Sequence, residues 1–125
     1  MNLDVPEAAV SVVSWNIRFG IEIDRAIVEL RDIEEIPLPD ILLLQEMDEK
    51  GTAAIAARLD ADYVFTSTGP HKLSDREFGN SIISPWPITG GLEVPLPHKS
   101  RLNGHPRSAT RAVVTVGATH ILTYN

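Results

Sequence analysis

Asp40-Ile41-Leu42-Leu43-Leu44-Gln45-Glu46 is an unbroken apolar run that ends in two polar side chains. Apolar residues on both faces of a short extended segment are what a central strand, covered on each side, requires. Pro37 and Pro39 exclude a helix from the approach. With a side-chain period of two, Glu46 is expected on the face of Leu42 and Leu44, which delivers a carboxylate at the rim of a buried sheet surface. The plain alternative is a strand leaving the core for water. A second segment of the same design weighs against it: Val10-Ser11-Val12-Val13-Ser14-Trp15-Asn16-Ile17-Arg18 is again β-rich and finishes in a polar residue, Asn16. Two strand ends then offer a carboxylate and an amide. A hard cation such as Mg²⁺ takes oxygen donors of that sort, with waters and substrate phosphate oxygens completing its shell.

Four motifs stand in order along the chain: Ser14-Trp15-Asn16-Ile17, Leu43-Leu44-Gln45-Glu46, Phe78-Gly79-Asn80-Ser81-Ile82-Ile83-Ser84 and Arg107-Ser108-Ala109-Thr110-Arg111-Ala112. Each is weak alone, but together they resemble the endonuclease/exonuclease/phosphatase family of metal-dependent phosphoesterases, over nearly the whole length from Val10 to Asn125. The resemblance implies a four-layer α/β/β/α sandwich, with two sheets face to face and helices outside. In that family a strand like Ile121-Leu122-Thr123-Tyr124-Asn125 leads directly into a Thr-His-Leu segment, whereas this sequence stops at Asn125. The family's domain is also roughly twice as long. The expectation is a partial domain over residues 1–125, the N-terminal half of the sandwich: an α/β fold with a mixed β-sheet and flanking helices, its second sheet and the other half of its active site lying elsewhere.

The 125 residues suffice for one domain with a core. With no cysteine there is no disulfide framework, thiol nucleophile or thiolate metal site. Met1 to Ala9 has no basic n-region, and no apolar run approaches the roughly 18 residues of a membrane span, so the sequence reads as soluble and cytoplasmic. The net charge of −6 disfavours a polyanionic partner until its distribution is considered. Residues 1–93 hold all 17 acids against 7 Lys and Arg, and residues 94–125 hold 4 basic residues and no acid. The C-terminal quarter is therefore free to face phosphate, although Lys99, Arg101 and Arg107 taken singly read as loop-solubilising charges.

In chain order, Val10 to Ile17 is the first strand and Gly20 allows a turn. Ile23, Ile27, Leu30 and Ile33 follow a helical period and give an amphipathic helix that ends before Pro37. Asp48-Glu49-Lys50-Gly51-Thr52 opens a second, Ala-rich helix through Leu59, with Thr52 as a candidate cap. Tyr63 to Ser67 reads as a strand, Thr68 to Glu77 as an exposed loop and Ser81 to Ser84 as a strand. Ile88 to Leu96 is a strand broken at Gly90-Gly91, and Thr110 to Val116 and Thr119 to Asn125 form a hairpin about Gly117-Ala118.

Phosphodiester hydrolysis needs a cation to neutralise charge on phosphate, a base to activate water, and positioning groups. Glu46 is the metal ligand here, and by resemblance it matches the family's metal-binding glutamate. Asn16 matches the strand-end asparagine that helps to orient metal or phosphate. Asn80 follows a glycine that permits close backbone approach, and either hydrogen-bonds within the site or pins its own loop. Arg111 is a phosphate clamp by virtue of its guanidinium, or an ordinary rim arginine. His71, His98 and His105 fall in loops and His120 on a strand, so none stands where the family's catalytic histidine would, and no general base is assigned. The cofactor implied is Mg²⁺, with Mn²⁺ as substitute, and the substrate a phosphodiester or phosphomonoester, DNA or RNA included. The expected function is Mg-dependent phosphodiester hydrolysis, with this chain inactive alone. A phosphatase for a phospholipid or inositol phosphate, and a catalytically dead binding module, are the alternatives. One face of the central strand is expected to lack cover, leaving a patch of residues such as Leu42, Leu44 and Ile82 or Ile83, so the chain is expected to self-associate or to pair with a complementary C-terminal half.

Overall fold

The computed structural model describes residues 9–18, 21–32, 38–70, 76–102, 104 and 106–125. These form, in chain order, β1 (Val12–Asn16), α1 (Ile23–Asp32), β2 (Ile41–Met47), α2 (Glu49–Leu59), β3 (Asp62–Pro70), β4 (Glu77–Ser84), β5 (Ile88–Pro95), β6 (Ser108–Val116) and β7 (Thr119–Tyr124). The expected turn at Gly20, the end of the first helix at Ile33, and His71 and His105 lie outside the described residues.

The apolar run of β2 is an interior strand of a four-stranded sheet ordered β1-β2-β4-β3. β1 pairs with it in parallel, from Val12 opposite Ile41 to Asn16 opposite Gln45, and α1 lies in the crossover between them. β4 runs antiparallel to both β2 and β3, so the sheet is mixed. Alternation along β2 then splits its apolar residues between two cores. Leu42, Leu44 and Met47, with Ile83 of β4, pack under the helices against Ala26, Ile27, Ile55 and Ala56. Ile41 and Ile82 face the other way and meet Ala112 and Val114 of β6, with Leu43, Val64, Ile88, Val116 and Ile121 around them.

That second core corrects the sequence reading. The chain builds a second sheet itself, three antiparallel strands ordered β5-β6-β7, packed on the first. The patch expected to meet water is covered on both faces of β2: Leu42 and Leu44 lie under the helices, Ile41 and Ile82 under the second sheet, and each is 1% exposed or less. Each such aliphatic side chain contributes about 1.5–3 kcal/mol by leaving water. Helices, first sheet and second sheet thus form three successive layers among the described residues.

Local chemistry sets the element ends. Asp48, not Thr52, caps α2, its carboxylate accepting from the Gly51 N–H at 2.6 Å. Thr52 is buried, and its hydroxyl donates to the Asp48 carbonyl at 2.8 Å. The carboxylate of Asp48 also pairs with Arg76. β3 runs to Pro70 and β4 begins at Glu77, so both strands extend into the stretch expected to be loop. The β6–β7 hairpin turns at Gly117, whose φ of 60° suits a two-residue loop. β5 carries a register shift between Thr89 and Leu92, at the expected Gly90-Gly91 break. At the start of β2, Asp40 accepts from the Ser11 N–H, the Ser11 hydroxyl and the Trp86 indole, tying the neighbouring ends of β1, β2 and β4 together.

Candidate functional site

β2 does not finish as a regular strand. Leu44 opposes Ser81, but Met47 opposes Gly79, so Gln45 and Glu46 together stand across from Asn80. This is a β-bulge, one residue more on β2 than on β4. Glu46 takes the strain of it, with a φ of 55° in the left-handed region that residues bearing a Cβ seldom occupy. The bulge also shifts the face. Met47, three residues after Leu44, joins the helix-side core with it, so Glu46 does not share the Leu42 and Leu44 face as simple alternation requires. Glu46 is half-buried, and its carboxylate makes no hydrogen bond or ion pair among the described residues.

Asn16 arrives beside it on β1. It sits opposite Gln45 in the parallel register, and the next residue, Ile17, donates its N–H to the Gln45 carbonyl at 3.1 Å. The Asn16 amide oxygen accepts from the Arg18 N–H at 2.9 Å, and Arg18 turns away with a φ of 48°. An open groove of about 490 Å³ starts at Trp15, Asn16 and Arg18 and reaches Glu22, Arg25 and Glu29 of α1.

Asn80 comes in from β4 on the other side of the bulge. Its side-chain amide donates to the Ser108 carbonyl at 3.0 Å, and its own carbonyl accepts from the Thr110 hydroxyl at 3.0 Å. These bonds tie β4 to β6, so the amide does pin local structure. Gly79 is required just before it, because a Cβ there would collide with the Thr66 carbonyl oxygen on β3. Arg107, immediately before β6, is exposed at the same rim.

Arg111 goes elsewhere. Its neighbours Thr110 and Ala112 are fully buried and face the first sheet, so Arg111 projects from the outer face of the second sheet, where its guanidinium lies 5.9 Å from the Tyr124 ring centre. The structure therefore brings Asn16, Glu46 and Asn80 to one end of the sandwich and turns Arg111 to the outer face of the second sheet. His120, on β7, is exposed and shares a 2.9 Å hydrogen bond with the Thr115 hydroxyl, and His98 is exposed on the β5–β6 connection.

Asn125 escaped the sequence reading. Its amide nitrogen donates to the Leu44 and Ser81 carbonyls at 2.9 and 2.8 Å, and its amide oxygen accepts from the Gln45 side chain at 2.5 Å. The signal was present in the alternation of Ile121, Thr123 and Asn125, which puts a polar side chain on the inward face of β7.

The donors fit a hard cation only in part. Glu46 supplies one carboxylate, unpaired among the described residues, and Asn16 an amide oxygen, a set that suits Mg²⁺ with several retained waters. Among the described residues no group of three or more His, Cys, Asp or Glu side chains could hold a metal by itself.

The sandwich, with its polar strand ends gathered at one rim, has the architecture of a phosphoesterase fold. The family model for the endonuclease/exonuclease/phosphatase family matches residues 13–124, and the chain belongs to that family. No curated protein sequence matches it. Among solved structures it is similar to an endonuclease/exonuclease/phosphatase family protein from Leptotrichia buccalis C-1013-b, with a TM-score of 0.68 and 16% identity over 94% of this chain and 53% of that one. It is also similar to TDP2 from Caenorhabditis elegans, with a TM-score of 0.61 and 19% identity over 93% of this chain and 34% of that one. A family protein from Bacteroides thetaiotaomicron gives a TM-score of 0.57 and 15% identity over 92% and 48%. The chain thus spans about half the length, or less, of these structures. Among the described residues no helix is long and apolar enough to cross a membrane.

Proposed function

We propose that this chain carries the first part of a divalent-cation-dependent phosphoesterase site, with Glu46 as its principal ligand. The observation that carries the reading is the Glu46 carboxylate itself, without a protein partner among the described residues, on a left-handed bulge between the Asn16 and Asn80 strands. Strain of this kind persists where surrounding structure over-determines it, and such positions cluster at active sites. When bound, Mg²⁺, or Mn²⁺ in its place, supplies charge neutralisation at a phosphoryl oxygen and an acidified water.

The chain's own groups do the remaining work available here. Asn16 offers a second oxygen donor beside Glu46, and Asn80 fixes the rim by holding β4 to β6. Arg18 and Arg107, exposed next to these residues, are the cations placed to meet a phosphate. Arg111, on the outer face, is left out of the proposal. Neither His98 nor His120 stands beside Glu46, so no base is available from them, and the chain alone is expected to be inactive. The substrate class is a phosphodiester, DNA or RNA among them, or a phosphomonoester. The complementary half of the domain and a cytoplasmic setting belong to the same proposal.

The test is titration of the chain with Mn²⁺, followed by paramagnetic broadening of backbone amides. Broadening centred on Glu46 and Asn16, and abolished by Glu46→Gln, is the expected result. Unchanged broadening in the variant removes Glu46 from the site.

A further inference from the structure

We propose that Asn125 is a positioning residue, holding the Gln45–Glu46 bulge in the backbone conformation that aims the Glu46 carboxylate. A bulge interrupts the ladder and leaves backbone groups in need of partners. Here the Leu44 and Ser81 carbonyls, one from each strand flanking the bulge, both accept from the Asn125 amide nitrogen, at 2.9 and 2.8 Å. The amide oxygen of Asn125 takes the remaining contact, from the Gln45 side chain at 2.5 Å. One side chain therefore satisfies the strand before the bulge, the strand opposite it and the first bulged residue.

The anchor is rigid at its own end. Asn125 and Thr110 exchange both backbone hydrogen bonds, at 2.7 and 2.9 Å, which fixes Asn125 to β6. The Thr110 hydroxyl in turn donates to the Asn80 carbonyl, across from the bulge. The second sheet thus grips the first where the β2–β4 ladder shifts register. Released from that grip, Glu46 has no reason to keep a φ of 55°, since regular pairing would return it to extended backbone. An aspartate at 125 would keep the acceptor for Gln45 but lose both donors. A leucine would keep the bulk and lose all three bonds.

The inference rests on the reading of Glu46 as the cation ligand, so the experiment separates the two. Using the ¹⁵N,¹³C-labelled full chain without metal, the Glu46 Cα and Cβ shifts and its HN–Hα coupling report the left-handed conformation directly. Asn125→Leu and Asn125→Asp are expected to return these to extended values and, with Mn²⁺ added, to weaken binding at least about tenfold, the usual cost of losing a group that orients a ligand. Gln45→Leu, which removes one of the three Asn125 bonds together with the Gln45 contacts to the Ser14 hydroxyl and the Leu43 carbonyl, is expected to shift Glu46 in the same direction by less, and it decides the matter if the Asn125 variants do not fold. Urea unfolding of each variant supplies the control. Lower stability with Glu46 still left-handed would make Asn125 a structural tie and overturn the proposal. If Glu46→Gln leaves Mn²⁺ binding intact, the ligand reading falls, while the Glu46 shifts still decide what Asn125 does to the bulge.

Discussion

Asp40 and Gly79 show how much a single side chain governs here. The Ser11 N–H, followed by the Trp86 indole and the Ser11 hydroxyl, holds the Asp40 carboxyl below the usual carboxylate range, against the opposing effect of its burial. A depressed folded-state pKa means that the unfolded chain binds the proton more readily, so this contribution to stability is complete above about pH 4 and fades as pH falls through the folded value. Urea midpoints measured from pH 6 down to pH 2 should drop, and Asp40→Asn should flatten part of that drop. At Gly79 the expected result of Gly79→Ala is a loss of about 3 kcal/mol, because the new Cβ meets the Thr66 backbone rather than a movable side chain. Equilibrium denaturation checks it. The need for Gly79 could be read from the sequence, and so could the identity of Glu46 at a strand end. The face of Glu46 could not. Bulges that need a left-handed residue usually declare it with glycine, and here a glutamate holds the position, so nothing in Leu44-Gln45-Glu46-Met47 marks the extra residue.

The second helix and the two cores make the corresponding case for elements. Both Asp48 and Thr52 are capping residue types, and sequence alone does not choose between them. Burial decides: Thr52 is 0% exposed, one turn inside the helix, its hydroxyl against the Asp48 carbonyl and the Ser81 hydroxyl. Asp48→Ala should cost about 1 kcal/mol from the lost cap alone. Loss of the Arg76 pair should add little, because Arg76 is 56% exposed. Thermal melts of Asp48→Ala and Arg76→Ala side by side will separate the two. In the core between the sheets, Ile82→Ala is expected to cost about 2–5 kcal/mol, since its neighbours Ala112 and Val114 belong to another sheet and collapse poorly around a void. The existence of the strands, the β5 interruption and the β6–β7 turn were legible, because Gly and Pro punctuate them locally, but the ends of β3 and β4 that run into the expected loop were not.

The stacking of the two sheets was not legible, and the reason is long range. Alternation in β6 and β7 announces one buried face each without saying what buries it. The answer depends on β5, whose short link from β4 through Pro85, Trp86 and Pro87 turns the chain back over Ile41 and Ile82. The apolar surface left to solvent is accordingly not the one expected. It lies on the outer face of the second sheet, where Leu122 is 50% exposed and Tyr124 is 54% exposed, beside Leu92 and Arg111. Self-association, if it follows from apolar exposure, should run through that face. Sedimentation of Leu122→Lys should show less association than the parent chain at equal concentration, whereas substitution on the helix side should leave association unchanged.

Among the described residues, β1 is held on one side only. It is the edge of its sheet, its single ladder is the parallel one to β2, and Val12 is 54% exposed and Val13 is 37% exposed. β4, by contrast, is paired on both sides and buried along most of its length. Amide exchange should therefore reveal two opening events, a low-energy one that frees β1 and a global one that includes β4. Freeing β1 withdraws Asn16 while the Glu46 bulge and its Asn125 tie stay in place. Any ligand that needs both residues then sees only the closed fraction, and its apparent affinity is lowered by that fraction. A contact that clamps β1 would tighten binding at a rim it never touches.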